Sequence, residues 1–264
     1  MRDCNNLIVW ITGAGSGLGE AMALEFGSRG AKLVLSGRRR ERVDEVKFKL
    51  DGQGVESLVE VCDVRETESL AKVVQRISDR YGRLDIAVAN AGYAVGGSFE
   101  KVTIEQWRGQ MDTNVIGVVG TIQAAMPALK KVAGRVGVVS SVAGHIATPD
   151  SAPYTASKFA LVGLCRSLQM EFANTGVSLT NLMPGFVESD ISKVDNDGQF
   201  RADYEDKRPK KLMWPRDKAA RVMVNAIVAR KREYVFTGHG KAASFVGRHL
   251  PSLVHGIMRR KNSR

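Results

Sequence analysis

An apolar run, Leu7-Ile8-Val9-Trp10-Ile11-Thr12, feeds directly into Gly13-Ala14-Gly15-Ser16-Gly17-Leu18-Gly19, and a helical pattern of Ala21, Met22, Leu24 and Phe26 follows at once. A short apolar run that stops at glycines reads as a buried strand. Glycines that open a helix straight after a strand let backbone N–H groups and the helix N-terminus approach a pyrophosphate. The spacing is G-x-x-x-G-x-G through Gly13, Gly17 and Gly19, because Leu18 and Glu20 stand where the commoner G-x-G-x-x-G needs its last glycine. Few folds have a use for a strand, a phosphate loop and a helix in that order.

The remaining sequence repeats the alternation. Further strands are predicted over residues 31–36, 55–61, 84–89, 134–139, 177–182 and 233–236. Helices are predicted over 41–50, 66–81, 152–174 and 217–230, with one or two long helices between 103 and 131. Strands separated by helices at this interval make right-handed βαβ units and a parallel sheet. The second strand ends at Gly37-Arg38-Arg39-Arg40 with no acid nearby. At that tip an acid accepts a ribose 2′-OH, whereas arginine accommodates a 2′-phosphate. NADP(H) is therefore preferred to NAD(H), with Arg38 the first contact and Arg39 the second. Asp63 and Val64 close the third strand, where a polar side chain can reach an adenine edge.

Tyr154 and Lys158 stand four apart in a run that opens with Pro153, so in a helix they share a face. A phenol is a poor acid or base at neutral pH, and an ammonium one turn away favours the phenolate. Ser141, at the carboxyl end of the fifth strand, can hydrogen-bond a carbonyl or alkoxide oxygen beside that phenol. The set suits proton transfer in carbonyl/alcohol interconversion. Asn114, inside the apolar run Val115-Ile116-Gly117-Val118-Val119, either bonds the backbone or belongs to a site.

Taken together, these motifs resemble the short-chain dehydrogenase/reductase family, in its classical form, from about Asn6 to Phe236. The resemblance implies a single-domain, Rossmann-type doubly wound α/β fold with a seven-stranded parallel sheet and helices on both faces. It implies a cofactor loop over residues 12–19, with Gly13, Gly15, Ser16, Gly17, Leu18 and Gly19 against the dinucleotide, an adenine contact at Asp63 and Val64, and a post-strand motif at Asn90, Ala91 and Gly92. Asn114, Ser141, Tyr154 and Lys158 match the family's catalytic tetrad, with thirteen residues from Ser141 to Tyr154 as the family has. Lys158 then also holds the nicotinamide ribose, Asn114 supports a proton-relay water, and Pro184, Gly185, Val187 and Ser189 lie beside the nicotinamide. Ala89 replaces the first asparagine of the usual Asn-Asn-Ala-Gly. Ser16 stands where many NADP-using members carry a basic residue, so the cofactor preference rests on Arg38 and Arg39.

Ser141, Tyr154, His145 and Phe186 are expected at the substrate, with Tyr93, Val95, Met213 and Trp214 as further walls for a largely apolar ketone or alcohol. Residues 188–214, polar and irregular, read as a substrate lid. Cys4, Cys62 and Cys165 form no CxxC, and His145, His239, His249 and His255 show no metal-ligand spacing, so neither zinc nor a disulfide framework is indicated. With no leader or membrane span read, a cytoplasmic enzyme is expected. The formal charge of +11 is uneven: residues 201–264 hold 17 Lys+Arg against 5 Asp+Glu. Residues 238–264 form a basic amphipathic tail, which suggests packing or peripheral contact with an acidic surface rather than nucleic acid. The apolar helix around residues 115–129 points to a homodimer or homotetramer. The rival reading is a non-catalytic dinucleotide-binding sensor or scaffold, which would have no need of a tuned phenol.

Overall fold

Successive side chains on a strand point to opposite faces of a sheet, and here that alternation supplies two separate cores. The first strand, β1 (Ile8–Thr12), sends Val9 and Ile11 into one core and Ile8 and Trp10 into the other. The computed structural model describes residues 3–206, 208–254 and 256. In chain order β1 is followed by α1 (Gly17–Gly27), β2 (Lys32–Gly37), α2 (Arg40–Asp51), β3 (Ser57–Val61), α3 (Thr67–Tyr81) and β4 (Ile86–Ala89). Then come α4 (Ile104–Met111), α5 (Gly117–Lys131), β5 (Arg135–Val139), α6 (Ala152–Glu171), β6 (Ser178–Met183), α7 (Arg216–Val228), β7 (Glu233–Val235) and α8 (Gly238–His249).

All seven strands pair in parallel in the order β3-β2-β1-β4-β5-β6-β7. Met22 and Phe26 of α1, Val46 and Leu50 of α2, and Met223 and Ile227 of α7 pack on Val9, Leu33, Leu35 and Val88. Leu70 and Ile77 of α3, Ile122 and Leu129 of α5, and Leu161 and Cys165 of α6 cover Trp10, Val34 and Val138 on the other face. Trp10 is wholly buried, and its indole N–H donates to Ser36 Oγ at 2.9 Å. This is the Rossmann-type doubly wound sheet expected from the sequence. The order reverses between β1 and β4, so their carboxyl ends diverge and open a crevice.

The long segment between residues 103 and 131 resolves into two helices joined by one π turn, Asp112–Ile116. Thr103 starts α4 with a full capping box, Gln106 answering from N3. The π turn displaces the backbone where Asn114 sits, a common device at functional positions. Residues 188–214 contain short 3-10 turns at Asp190–Lys193 and Lys210–Leu212 and isolated bridges Val187–Trp214 and Val194–Phe200. The tail begins as a regular helix, α8. His255, Ile257, Met258 and the basic residues beyond them lie outside the described residues.

Candidate active site

At Gly13 the loop after β1 turns with φ +64°, a left-handed conformation that favours glycine. A Cβ at Gly19 would run into the Gly13 carbonyl oxygen, so α1 packs close beneath the loop only because no side chain is there. Asn90, just past β4, ties this loop down: its side-chain N–H donates to the carbonyls of Thr12 (2.9 Å) and Gly13 (3.1 Å). The α1 N-terminus has no side-chain cap, and Gly17 and Leu18 line the crevice, so the helix presents free N–H groups there. That arrangement fits a dinucleotide pyrophosphate.

The crevice is a cleft of about 460 Å³. Gly13, Gly15, Ser16, Gly17, Leu18, Arg38, Arg39, Asp63, Val64, Asn90, Ala91, Gly92, Ser141, Tyr154, Lys158, Pro184, Gly185, Val187 and Ser189 line it, so the sequence brings nearly all its cofactor candidates to one place. Gly19 supports from behind. Burial pushes the Asp63 carboxyl up, but hydrogen bonds and charge from Arg65 outweigh this and hold it below the ordinary range.

Ser141 and Ser140 part ways as strand alternation requires. Ser140 Oγ donates to Asn181 Oδ1 at 2.5 Å and is committed to β6. Ser141 Oγ accepts the Ala143 N–H at 3.1 Å and donates to the Pro184 carbonyl at 3.5 Å, and it faces the Tyr154 phenol closely enough to favour its ionised form. The expected pull of Lys158 on the phenol is not what sets its acidity. Burial holds Tyr154 above its ordinary value, and the Ser141 hydroxyl and the Arg208 charge oppose that rise. Lys158 Nζ lies 5.5 Å from the Tyr154 ring centre and donates to the Val139 carbonyl at 3.0 Å. Burial lowers the ammonium to about 8, slightly opposed by Cys165.

Asn114 stands behind this wall, 1% exposed. Its carboxamide accepts the Tyr93 N–H (3.1 Å) and donates to the Tyr93 carbonyl (3.0 Å) and Ser157 Oγ (3.2 Å). It therefore fixes the loop after β4 to the helix carrying Tyr154.

Several expected walls lie elsewhere. His145 is not at the cleft: the 3-10 turn Val142–Gly144 rotates it inward, where Nδ1 meets Ser244 Oγ at 2.7 Å and Nε2 lies 3.8 Å from Glu233. Phe186 stacks on His239 at 5.4 Å, outside the lining. Trp214 packs on Phe236 at 5.9 Å beneath Lys218, and Met213 likewise lies outside the lining. Tyr93 does line the cofactor cleft, and Val95 lines a second cleft of about 570 Å³ that shares Tyr154. The second cleft mixes Val95, Ile191 and Val194 with polar Gln106, Ser151 and Arg201.

The sequence reading missed two residues of the 188–214 segment, Arg208 and Phe200. Arg208 reaches into the cleft, donating to the carbonyls of Val187 (3.0 Å) and Ser189 (2.9 Å) while Asp206 grips it at 2.7 Å. Hydrogen bonds from Arg208 hold the Asp206 carboxyl down at about 2. Phe200 lies under the Arg39 guanidinium at 5.3 Å, and Arg38 donates to the Gly198 carbonyl at 3.1 Å. Nothing distinguishes Arg208 in a stretch rich in charge, and a lone Phe in a polar loop gives no spacing signal.

Residues 7–199 match the family profile described as short chain dehydrogenase. An uncharacterized oxidoreductase of Staphylococcus aureus is 34% identical over 191 residues, covering 72% of this chain and 81% of the relative. One of Staphylococcus epidermidis is 31% identical over 200 residues, covering 75% and 86%. An alcohol dehydrogenase of Thermococcus sibiricus complexed with 5-hydroxy-NADP is 26% identical, with a TM-score of 0.76 over 88% of this chain and 97% of that one. A short chain dehydrogenase/reductase of Burkholderia phymatum in complex with NAD shares the fold at 24% identity, with a TM-score of 0.79 over 88% and 89%. With the profile spanning most of the chain and the sheet, loop and tyrosine helix in agreement, the protein is an oxidoreductase of the short-chain dehydrogenase/reductase family.

Proposed function

We propose that the protein is an NADP(H)-dependent oxidoreductase interconverting a ketone and a secondary alcohol, with Tyr154 as acid and base. The observation that carries this reading is the convergence of Ser141, Tyr154 and Lys158 on one wall of the cleft bounded by the glycine loop. A bound nicotinamide supplies or accepts the hydride. The chain handles the proton and the geometry.

Tyr154, a phenol protonated at neutral pH and held above its ordinary value by burial, donates to the carbonyl oxygen in reduction and takes the proton back in oxidation. Ser141 Oγ holds the same oxygen against the phenol. Lys158, charged below about 8, favours the phenolate left behind and offers an N–H to the ribose. Asn114, bonded to Ser157 next to Lys158, supports the proton's onward path to solvent. Arg38 and Arg39 favour a 2′-phosphate: no acid ends β2, and Ser36 is already engaged by Trp10. An apolar substrate body suits Val95, Ile191 and Val194, and a polar end suits Gln106 and Ser151. Exposed Ile116, Phe159 and Met170 on the α5/α6 side suit a homodimer or homotetramer.

The test is a panel of ketones and alcohols followed by NADPH absorbance, with NADH in parallel. Tyr154→Phe is expected to lower turnover by about a hundredfold to ten-thousandfold with NADPH affinity nearly unchanged. Arg38→Ala is expected to weaken NADPH roughly tenfold or more and leave NADH alone. Full turnover in the first variant, or equal losses for both cofactors in the second, overturns the corresponding assignment.

A further inference from the structure

The inner side of α8 is well anchored. Ser244 Oγ meets buried His145, Gly240 accepts no side chain against Thr237, and a Cβ at Gly247 would strike the His145 carbonyl. Val254, just past the helix, is also buried. The outer side is therefore presented by a fixed element. There Phe245 is 61% exposed, and Leu250 and Leu253, just past the helix, are 48% and 51% exposed.

A single exposed leucine needs no explanation, but three large apolar side chains within nine residues are not scattered singly. The sequence they belong to carries one sign of charge. Residues 238–264 hold six Lys+Arg and no Asp or Glu. Lys241 stands one helical turn before Phe245 on the same face and is exposed. Among the described residues of this stretch, Arg248 pairs with an acid, Glu233 at 3.1 Å.

We propose that α8 and the turn after it dock on an anionic lipid surface, with Phe245, Leu250 and Leu253 entering the headgroup boundary and Lys241 facing lipid phosphate. Apolar side chains ringed by Lys and Arg are the composition that lies in a bilayer interface. No described helix is long and apolar enough to cross a membrane, so the contact is peripheral. A second copy of the chain is the poorer occupant. A two-fold contact through α8 would set two copies of a stretch with no acid of its own against each other, whereas Ile116 of the π turn and Phe159 and Met170 of α6 are exposed apolar side chains outside α8.

The test uses the full chain and sedimentation with vesicles, either phosphatidylcholine alone or an equal mixture with phosphatidylglycerol. The wild type is expected to pellet with the anionic vesicles only, and bound protein should drop about tenfold as salt rises from roughly 50 mM to 500 mM. Phe245→Ser/Leu253→Ser, with unchanged net charge, is expected to lose about tenfold in vesicle affinity. Its melting temperature and oxidoreductase activity on a soluble substrate should match the wild type. Failure of the wild type to pellet with anionic vesicles overturns the proposal, as does equal binding to both vesicle types. Undiminished binding by the double variant refutes the apolar part. A wild-type dimer that the double variant converts to monomer, without vesicle binding, assigns the face to a second copy instead.

Discussion

Lys158 is the residue on which chemistry and burial pull hardest in opposite directions. It is 6% exposed, and its ammonium donates to the Val139 carbonyl. Removing an ammonium from water disfavours the charged form, and here that lowers the group to about 8. The ammonium is charged below that value and neutral above it. If it must be charged to support the Tyr154 phenolate, reductive kcat/KM should be level below about pH 8 and fall about tenfold per unit above it. Lys158→Arg, whose guanidinium stays charged, should be slower throughout but lack the alkaline limb. A wild-type profile that stays flat to about pH 10 would show that the ammonium takes no part. Tyr154 itself titrates above its ordinary range and so cannot produce a limb at that position.

At the scale of the element, the 188–214 segment is held by two charged anchors. Asp195 accepts N–H groups from Gln199 (2.8 Å) and Asp197 (3.1 Å) and pairs with Arg201 at 2.7 Å, which closes the turn that carries Phe200 toward Arg39. The Gln199 backbone bond, above all, holds its carboxyl below the usual 3.8. The turn's support is therefore complete above that ordinary value and fades only as pH falls through the lower, folded value. Asp195→Ala removes the hub while Asp206–Arg208 still anchors the segment's far end. Trypsin at pH 7 should then cut after Arg201 about ten to a hundred times faster, since charge-assisted bonds contribute roughly 1.5–3 kcal/mol. The midpoint of global unfolding should move by only about 2 °C, and unchanged cleavage would mean that other contacts hold the turn. This element also marks where sequence reading stops. The sheet was legible because apolar runs and glycines are local, and so was the glycine loop that lines the cleft. Arg38 meets Gly198 across 160 residues, a contact that no spacing encodes. His145 follows Ser141 closely in sequence, but a 3-10 turn at Val142–Gly144 swings its ring inward. Asn114 was recognisable as unusual, but the π turn that carries it leaves no mark in the residues around it.

Across the whole molecule, the three cysteines report on both layers. Cys4 belongs to the core covered by α1, α2 and α7, and Cys62 and Cys165 to the one covered by α3, α5 and α6. All three are free and buried. Burial raises each thiol above its ordinary 9.0, and Cys165 reaches about 12 with Glu233 adding to the rise and Lys158 opposing it. The thiolate is the reactive species, so inaccessibility and high pKa act together against modification. One sheet separates the two cores, and neither can lose its packing without exposing strands that the other also covers. A thiol reagent at about pH 8 should therefore find almost no reactive group in native buffer and three per chain in strong denaturant. At intermediate denaturant the labelling of Cys4 should follow the same curve as that of Cys165, and both should follow the loss of helical circular dichroism. Rapid labelling of any one thiol in native buffer, or a Cys4 transition well ahead of Cys165, would mean that the two layers come apart separately.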